Sequence, residues 1–340
     1  MTRASMLRVA SVGLGWWAHE LAAAIRNKSE LINIESCYSR SPQKRQEFSE
    51  KFGVDQHSDF ESLLNDNNID GLLLTTPHSI HAQQVEQAAS HGKHVFVEKP
   101  FTLTAESGFR AVKTCTDAEV VLAVGHNRRF SSGVEYLIKS IESDDLGRIM
   151  HIETNFSAPS ALKWTRSHWR ADRKESPGGG LAGLGIHMID LMGVFGGGVE
   201  EVSAFSERLV LPVDVDDTTC AIFRVRSGAT GYLGTLIASP YTATVNLYGT
   251  KGNAFLAIDS DALTIRSMDG KDRQVQLESV DTIKAELEEF ALACKHGGVF
   301  RVSPEQAVHN VAVMEAIEES TREKGKPIQV KQVTGGNPWT

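Results

Sequence analysis

The stretch His94-Val95-Phe96-Val97-Glu98-Lys99-Pro100 sets an ammonium between a carboxylate and a proline at the end of an apolar run. A lysine held at such a strand end can donate to a bound oxygen or exchange a proton with a hydroxyl. Taken alone, Glu-Lys-Pro is equally a charged turn that closes a strand. A second chemically suggestive stretch lies upstream, in Gly13-Leu14-Gly15-Trp16-Trp17-Ala18, between apolar Leu7 to Val12 and the helical pattern Glu20 to Ile25. Strand, glycine turn and helix in that order form the context in which a G-x-G-x-x-A turn binds a dinucleotide. Gly13 permits the tight turn, Gly15 lets the backbone approach a diphosphate, and Ala18 lets helix and strand pack closely. The phosphates then meet the unpaired amides and the dipole of the helix N-terminus. Leu14, Trp16 and Trp17 are expected beside them.

These residues need a scaffold, and the chain supplies its pattern. Short aliphatic runs recur up to about residue 125: Val9 to Val12, Ile32 to Tyr38, Gly71 to Thr76, Val95 to Val97 and Val120 to Val124. They look buried on both faces, as parallel strands are, and helical patterns such as Pro42 to Phe52 and Ile80 to His91 fall between them. That alternation predicts an N-terminal doubly wound parallel sheet of the Rossmann kind over residues 1–126, with ligands beyond the carboxyl ends of its strands. Both the glycine turn and Lys99 sit at such ends. After a helix near Gly133 to Ser143 the strands lengthen, at Ile149 to Ser157, Glu201 to Leu209, Thr218 to Val225 and Gly231 to Ile237. Consecutive strands without crossover helices predict a second α+β domain over 127–340 with a large, mostly antiparallel open sheet. Helices are expected within it at Leu181 to Val194 and Ile283 to Ala293.

Composition narrows the function classes. The 340 residues carry 35 basic and 43 acidic side chains, a net charge of −8, which is no footprint for nucleic acid. Cys37, Cys115, Cys220 and Cys294 are scattered without a Cys-x-x-Cys pair, which suggests reduced thiols and a cytoplasmic location rather than a disulfide framework or a zinc site. The first strand follows Met1 closely, leaving no room for a secretory leader, and no apolar run approaches the roughly 20 residues of a membrane helix. Asp214, Asp216 and Asp217 resemble a metal cluster only superficially, since no histidine or cysteine joins them. No metal is expected.

The second strand decides the nucleotide. NAD-selective folds usually carry a carboxylate at its end for the ribose hydroxyls, whereas this strand ends Tyr38-Ser39-Arg40-Ser41. Ser39 and Arg40 suit a 2′-phosphate, so NADP is preferred, with NAD the alternative.

The ordered set of motifs resembles the Gfo/Idh/MocA oxidoreductase family, the glucose-fructose oxidoreductase and inositol dehydrogenase group. The matching residues are the glycine turn, Thr76-Pro77 with His81, Gly92-Lys93-His94-Val95 leading into Glu98-Lys99-Pro100, Arg129, Gly147 before Ile149, and Trp169-Arg170. The match continues through Gly178-Gly179-Gly180, Gly185-x-His187-x-x-Asp190, Gly249-x-x-Gly252 and the helix of Glu288 to Phe290, covering nearly the whole chain. The resemblance implies a Rossmann domain followed by a domain whose open sheet serves as an oligomer interface, hence a homodimer or homotetramer. It also implies that Lys99 touches nicotinamide ribose and substrate, and that His187 acts as acid or base. Thr76, Pro77, His81, Glu98 and Asn127 join the expected cofactor contacts. Oxidising an alcohol by hydride transfer requires a base for the hydroxyl proton, a task suited to histidine near neutrality and to a lysine shifted downward by crowding.

The chain departs from the family at one position. Many members place an aspartate four residues before the histidine, one helical turn away on the same face; here that residue is Gly183. A helical glycine costs about 1 kcal/mol relative to alanine, which suggests that space is wanted there, for a substrate ring, for nicotinamide, or for a closely packed neighbour. Asp190 is read as structural or as orienting His187. Upstream, Lys163-Trp164-Thr165-Arg166-Ser167-His168-Trp169-Arg170 combines cations and two tryptophans. In a pocket, Arg166 or Lys163 would pair with a carboxylate while the aromatics stack on a ring, with Trp169 and Arg170 also on the substrate side; otherwise the stretch is a solvated loop. The function these residues predict is NADP-preferring hydride transfer on a cyclic polyol, sugar or hydroxylated ring. The alternatives are a dehydrogenase for a carboxylated dihydrodiol or semialdehyde hemiacetal, a redox-assisted elimination enzyme that recycles its nucleotide, and a catalytically silent nucleotide sensor.

Overall fold

The apolar runs of the first 125 residues pair side by side in parallel. The structure is a computed structural model and describes residues 6–260, 262–332 and 337–339. Strands β1 (Leu7–Val12), β2 (Ile32–Tyr38), β3 (Asp55–Gln56), β4 (Gly71–Leu74), β5 (His94–Glu98) and β6 (Leu122–Gly125) lie in the order β3-β2-β1-β4-β5-β6. Every pair in this sheet is parallel. Helices α1 (Trp16–Ile25), α2 (Pro42–Phe52), α3 (Phe60–Leu64), α4 (His81–Ser90) and α5 (Ala105–Asp117) connect them. Strand order reverses between β1 and β4, and a doubly wound sheet binds ligands in the crevice at that reversal.

The chain forms two compact units. The first runs to Thr102, resumes over Glu106–Asn127, and also takes Asp281–Glu305. A boundary at residue 126 therefore leaves out part of this unit. The returning segment is helix α8, Thr282–His296 (α6, Ser132–Glu142, and α7, Ile186–Gly196, belong to the second unit), capped by the Asp281 carboxylate, which accepts the Lys284 N–H at 3.0 Å. Leu287, Phe290 and Ala291 are buried on it, and Phe290 meets Phe96 of β5 with ring centroids 5.8 Å apart. The reason is burial: a parallel sheet is apolar on both faces, and α8 packs on β1, β2, β5 and α1.

The second unit holds Arg128–Val280 and the chain from Gln306 on, with Leu103–Ala105. Its sheet is built from β7 (Ile149–Ser157), β8 (Val199–Glu207), β9 (Thr218–Val225), β10 (Thr230–Leu236), β11 (Thr242–Gly249), β12 (Gly252–Ala257), β13 (Ala262–Ser267), β14 (Asp272–Val275) and β15 (Ile328–Gln329). The order is β14-β13-β12-β11-β7-β10-β9-β8-β15, and among the described residues the one parallel pair in it is β7 with β10. Alternate residues of β9 and β11 are buried, as expected of a sheet covered on one face. Helix α7 (Ile186–Gly196) packs on β7 to β10 and on α6 (Ser132–Glu142), and α9 (Pro304–Arg322) is the last helix. Among the described residues no helix is long and apolar enough to cross a membrane.

A buried ion pair fixes α7. Arg129 grips Asp190 with Nε and Nη2, both at 2.6 Å, and the Asn310 amide of α9 donates to Asp190 at 2.7 Å. Arg129 also donates to Gln306 at 2.7 Å and lies 4.9 Å from the Trp339 ring. Truncating one partner leaves a buried charge unpaired, so Asp190→Ala is expected to destabilise this unit by about 3–5 kcal/mol. Urea unfolding monitored by tryptophan fluorescence measures this, and a loss below about 1 kcal/mol would contradict it.

Candidate active site

In the first unit the glycine turn is built tightly around β4. Gly13 has φ +86°, and a β-carbon on it would lie 2.7 Å from Thr76 Cγ2 and 2.9 Å from the Thr75 carbonyl. Its N–H donates to the Tyr38 carbonyl at 3.0 Å, and the Thr75 hydroxyl donates back to the Gly13 carbonyl. Gly15, at the start of α1, contrasts with it: no side chain caps the helix there, and a β-carbon would meet nothing within 4 Å. An uncapped helix N-terminus with open space before it fits a diphosphate. Leu14 is buried, leaving its backbone to line the turn, and Trp16 is 72% exposed.

Trp17 and Glu98, both expected to touch cofactor, hold each other. The Trp17 indole N–H donates to Glu98 Oε1, and the Lys99 backbone N–H donates to Oε2 at 3.3 Å. Glu98 can sit there because residue 125 is glycine; a β-carbon on it would come within 2.7 Å of Oε1. Thus the carboxylate at the end of β5 ties α1 to the half-buried Lys99. His81, another expected cofactor neighbour, is held by backbone carbonyls. Its ring is fully buried and bridges the Thr76 carbonyl at 2.9 Å and the Pro100 carbonyl at 3.0 Å, joining the loops after β4 and β5. Thr76 is buried with its hydroxyl on Gln84 at 2.6 Å, while Pro77 stays half-buried at the strand end. Asn127 donates to Thr282 at 3.2 Å.

The tip of β2 carries more positive charge than expected. Arg40 is exposed, and Arg45, in the first turn of α2, donates to the Ser39 carbonyl at 2.6 Å. The Ser39 hydroxyl accepts the Ser41 N–H at 3.4 Å. No carboxylate occurs from Tyr38 to Arg45. Arg45 was legible only once α2 was known to fold its first turn back onto the strand end.

In the second unit, the expected single helix from Leu181 begins as a π-helical turn, Leu181–Gly185, in which the Ile186 N–H reaches the Leu181 carbonyl. That turn is wider than an α-helical one, so a spacing of four no longer brings residue 183 over 187 as an α-helix would. Among the described residues a β-carbon on Gly183 would meet nothing within 4 Å, so no side chain packed there requires the glycine. His187 is buried on the first turn of α7 beside Phe156, ring centroids 5.9 Å apart. The Arg128 guanidinium lies 4.4 Å from the Phe156 centroid, and Tyr241 packs edge-on to Phe156 at 5.9 Å. Arg128 pairs with Asp259 and reaches the Tyr241 hydroxyl at 3.5 Å. Sequence reasoning missed Phe156, Tyr241 and Asp259 because they share no local pattern, coming from β7, the β10–β11 connection and the turn after β12.

The tryptophan loop is ordered rather than merely solvated. Trp164 and Leu184 pack on one small core of Ala161, Leu211, Val213, Val215 and Ile237, which brings the loop to the π-helical turn. His168 stacks on Trp164 at 5.0 Å and on Trp169 at 6.5 Å, and Arg170 lies 4.3 Å over the Trp169 ring. Burial and the adjacent Arg170 hold the His168 imidazole below its ordinary range, which favours the neutral ring in the stack. Arg166 stays exposed. Arg173 grips Asp216 through bonds of 2.9 and 3.0 Å, and Asp217 accepts the amides of Leu209, Val210 and Leu211, so these carboxylates anchor loops.

Comparison with known proteins agrees with this architecture. Residues 7–126 match the oxidoreductase family model with an NAD-binding Rossmann fold, and residues 134–255 match the GFO/IDH/MocA C-terminal domain. A myo-inositol 2-dehydrogenase of Thermotoga maritima is 26% identical over 97% of this chain and 100% of its own length. The solved structure of a Desulfitobacterium hafniense protein, classed provisionally as an NADPH-dependent oxidoreductase, is 30% identical, with TM-score 0.91 over 97% of this chain and 99% of that one. A levoglucosan dehydrogenase in complex with NADH and levoglucosan shares the fold at 24% identity, with TM-score 0.88 over 96% of this chain and 100% of its own. The chain belongs to the Gfo/Idh/MocA oxidoreductase family and is an NAD(P)-dependent dehydrogenase or reductase acting on a CH–OH group.

Proposed function

We propose that the enzyme prefers NADP and transfers hydride to or from a ring carbon of a cyclic polyol, sugar or similarly hydroxylated ring, with Lys99 and His187 handling the proton. The observation that carries this reading is the Glu98 carboxylate, which fixes the Lys99 backbone and the glycine-turn helix to one point at the end of β5. Bound nicotinamide supplies the hydride chemistry. The α1 N-terminus and the space at Gly15 would hold the diphosphate, and Ser39, Arg40 and Arg45 the 2′-phosphate. Pro77, Asn127 and the backbone of Thr76 line the same strand ends. On the substrate side, His187 with Phe156, Tyr241 and Arg128 offers an acid–base ring, an aromatic face and polar donors, and Gly183 leaves room for the ring. Trp169, Arg170 and Arg166 extend that side. The inositol-oxidising relative supports a cyclic polyol. Phe205 and Ile222, exposed on the uncovered face of the large sheet, support assembly of copies through it.

Lys99→Met and His187→Ala are each expected to lower kcat by more than about tenfold while leaving the NADPH Kd within a few-fold; full turnover in either variant removes that residue from the chemistry. Calorimetric titration is expected to give NADPH about tenfold tighter binding than NADH, a preference lost in Arg40→Ala; equal or reversed affinities overturn the NADP assignment. Gly183→Leu fills open space, so its Tm should stay within a few degrees of wild type while KM for the polyol rises about tenfold or more. An unchanged KM would place the substrate elsewhere.

A further inference from the structure

Helix α8 carries a carboxyl group that the reading above does not use. Glu286 sits on its first turns, next to the apolar residues that pack on β1, β5 and α1, and is 0% exposed. Among the described residues neither of its oxygens has a hydrogen-bond partner. A buried ionised carboxylate with no donor would cost several kcal/mol, whereas a neutral acid at the same place costs far less. The charged groups that act on it are Glu98 and Lys99, the two residues at the end of β5. Burial first, and the charge of Glu98 second, push the Glu286 carboxyl well above the ordinary carboxylate range, with Lys99 pulling the other way.

Glu98 and Glu286 are not interchangeable. Glu98 accepts the Trp17 indole N–H and the Lys99 N–H, both of which favour its ionised form. Glu286 receives no donor. Two neighbouring carboxyls of which only one is solvated by donors cannot both ionise cheaply, and the proton settles on the unsolvated member. We propose that Glu286 is a positioning residue for Lys99 acting through Glu98, the two carboxyls keeping one proton between them so that a single negative charge stands behind the lysine. That charge holds the lysine-bearing turn on Trp17 and sets the electrostatic background against which Lys99 gains or loses its proton. The functional half of this inference rests on the assignment of Lys99 to proton transfer; the shared proton does not.

The test compares the full-length wild type with Glu286→Gln, whose amide has the shape of the neutral acid and never ionises. A carboxyl that binds its proton more tightly when folded contributes stability that is complete below the unfolded carboxylate pKa of about 4.3 and declines as pH rises above it. Glutamine contributes no such slope. Thermal unfolding between pH 5 and 9 is therefore expected to show a Tm difference that moves in favour of the variant by several degrees as pH rises; a difference independent of pH would overturn the shared proton. If the variant does not fold, isotope-edited infrared spectra of the wild type at pH 7 must still show the carbonyl band of a neutral carboxylic acid, and its absence overturns the proposal equally.

The positioning role is read from kcat/KM against pH in the direction of alcohol oxidation. The variant can never place a second negative charge beside Lys99, so its alkaline inflection is expected about half a pH unit or more below that of wild type. Superposable profiles would reduce Glu286 to buried filling. Lys99→Met in the same assay separates the two readings. Full turnover there defeats the assignment of Lys99, while the Tm comparison still decides whether the carboxyls share a proton.

Discussion

A carboxylate at the end of a buried parallel strand must find donors, and the first unit is organised around how Glu98 finds them. One donor is the indole of Trp17, on the helix that follows the glycine turn; another is the backbone of the next residue, Lys99. Glycine at position 125 on the adjacent strand β6 leaves the room this requires. Beneath, the His81 ring joins Thr76 to Pro100, so the loops after β4 and β5 are tied at a second level. The nucleotide turn and the lysine are thereby fixed to a common frame, and neither can shift without breaking buried hydrogen bonds, each of which leaves an unsatisfied group worth about 1–3 kcal/mol.

The second unit solves the same problem with an ion pair. His187 lies one turn before Asp190, and Asp190 is gripped by Arg129 and Asn310. Arg129 follows Arg128, whose guanidinium lies over Phe156, the ring that packs against His187. Two adjacent arginines therefore act on α7 from different directions, one through its carboxylate and one through the aromatic wall beside its histidine. This gives the buried pair a positional role that its net energy alone would not justify, since hydrophobic replacements often stabilise as well.

What was legible in the sequence depended on whether a feature was local. Strands β2, β7 and β9 and helix α2 run where periodicity put them, because alternating or continuous burial leaves its record in neighbouring residues. The glycine turn was legible for the same reason, as Gly13 needs its positive φ whatever lies elsewhere. The return of α8 to the first sheet was not legible. An amphipathic helix shows that it must cover something, and nothing in its own sequence says which sheet. Glu286 went unseen with it, since a glutamate in Lys-Ala-Glu-Leu-Glu-Glu reads as one more solvated charge until the helix is docked. The π-helical turn before His187 was hidden because Leu-Ala-Gly-Leu-Gly fits an α-helix as well as a wider turn, and packing selects between them.

The missing aspartate at 183 takes on a different meaning once the surroundings of His187 are described. The His187 ring is flanked by Phe156 and, beyond it, by Arg128 and Tyr241, and the π-helical turn does not stack residue 183 over it. Asp259 is engaged with Arg128, and Asp190, on the same helix as His187, with Arg129. The described residues of the wall beside His187 therefore present an aromatic face and the donors of Arg128 and Tyr241, with Asp259 paired to Arg128. A hydroxylated ring has apolar C–H bonds on its faces and hydroxyls at its rim, and it satisfies such a wall without leaving a charge unpaired. A small open-chain dianion would use the donors and waste the aromatic face. The open space at Gly183 and the character of the wall are the two observations, one steric and one electrostatic, behind the proposed ring substrate.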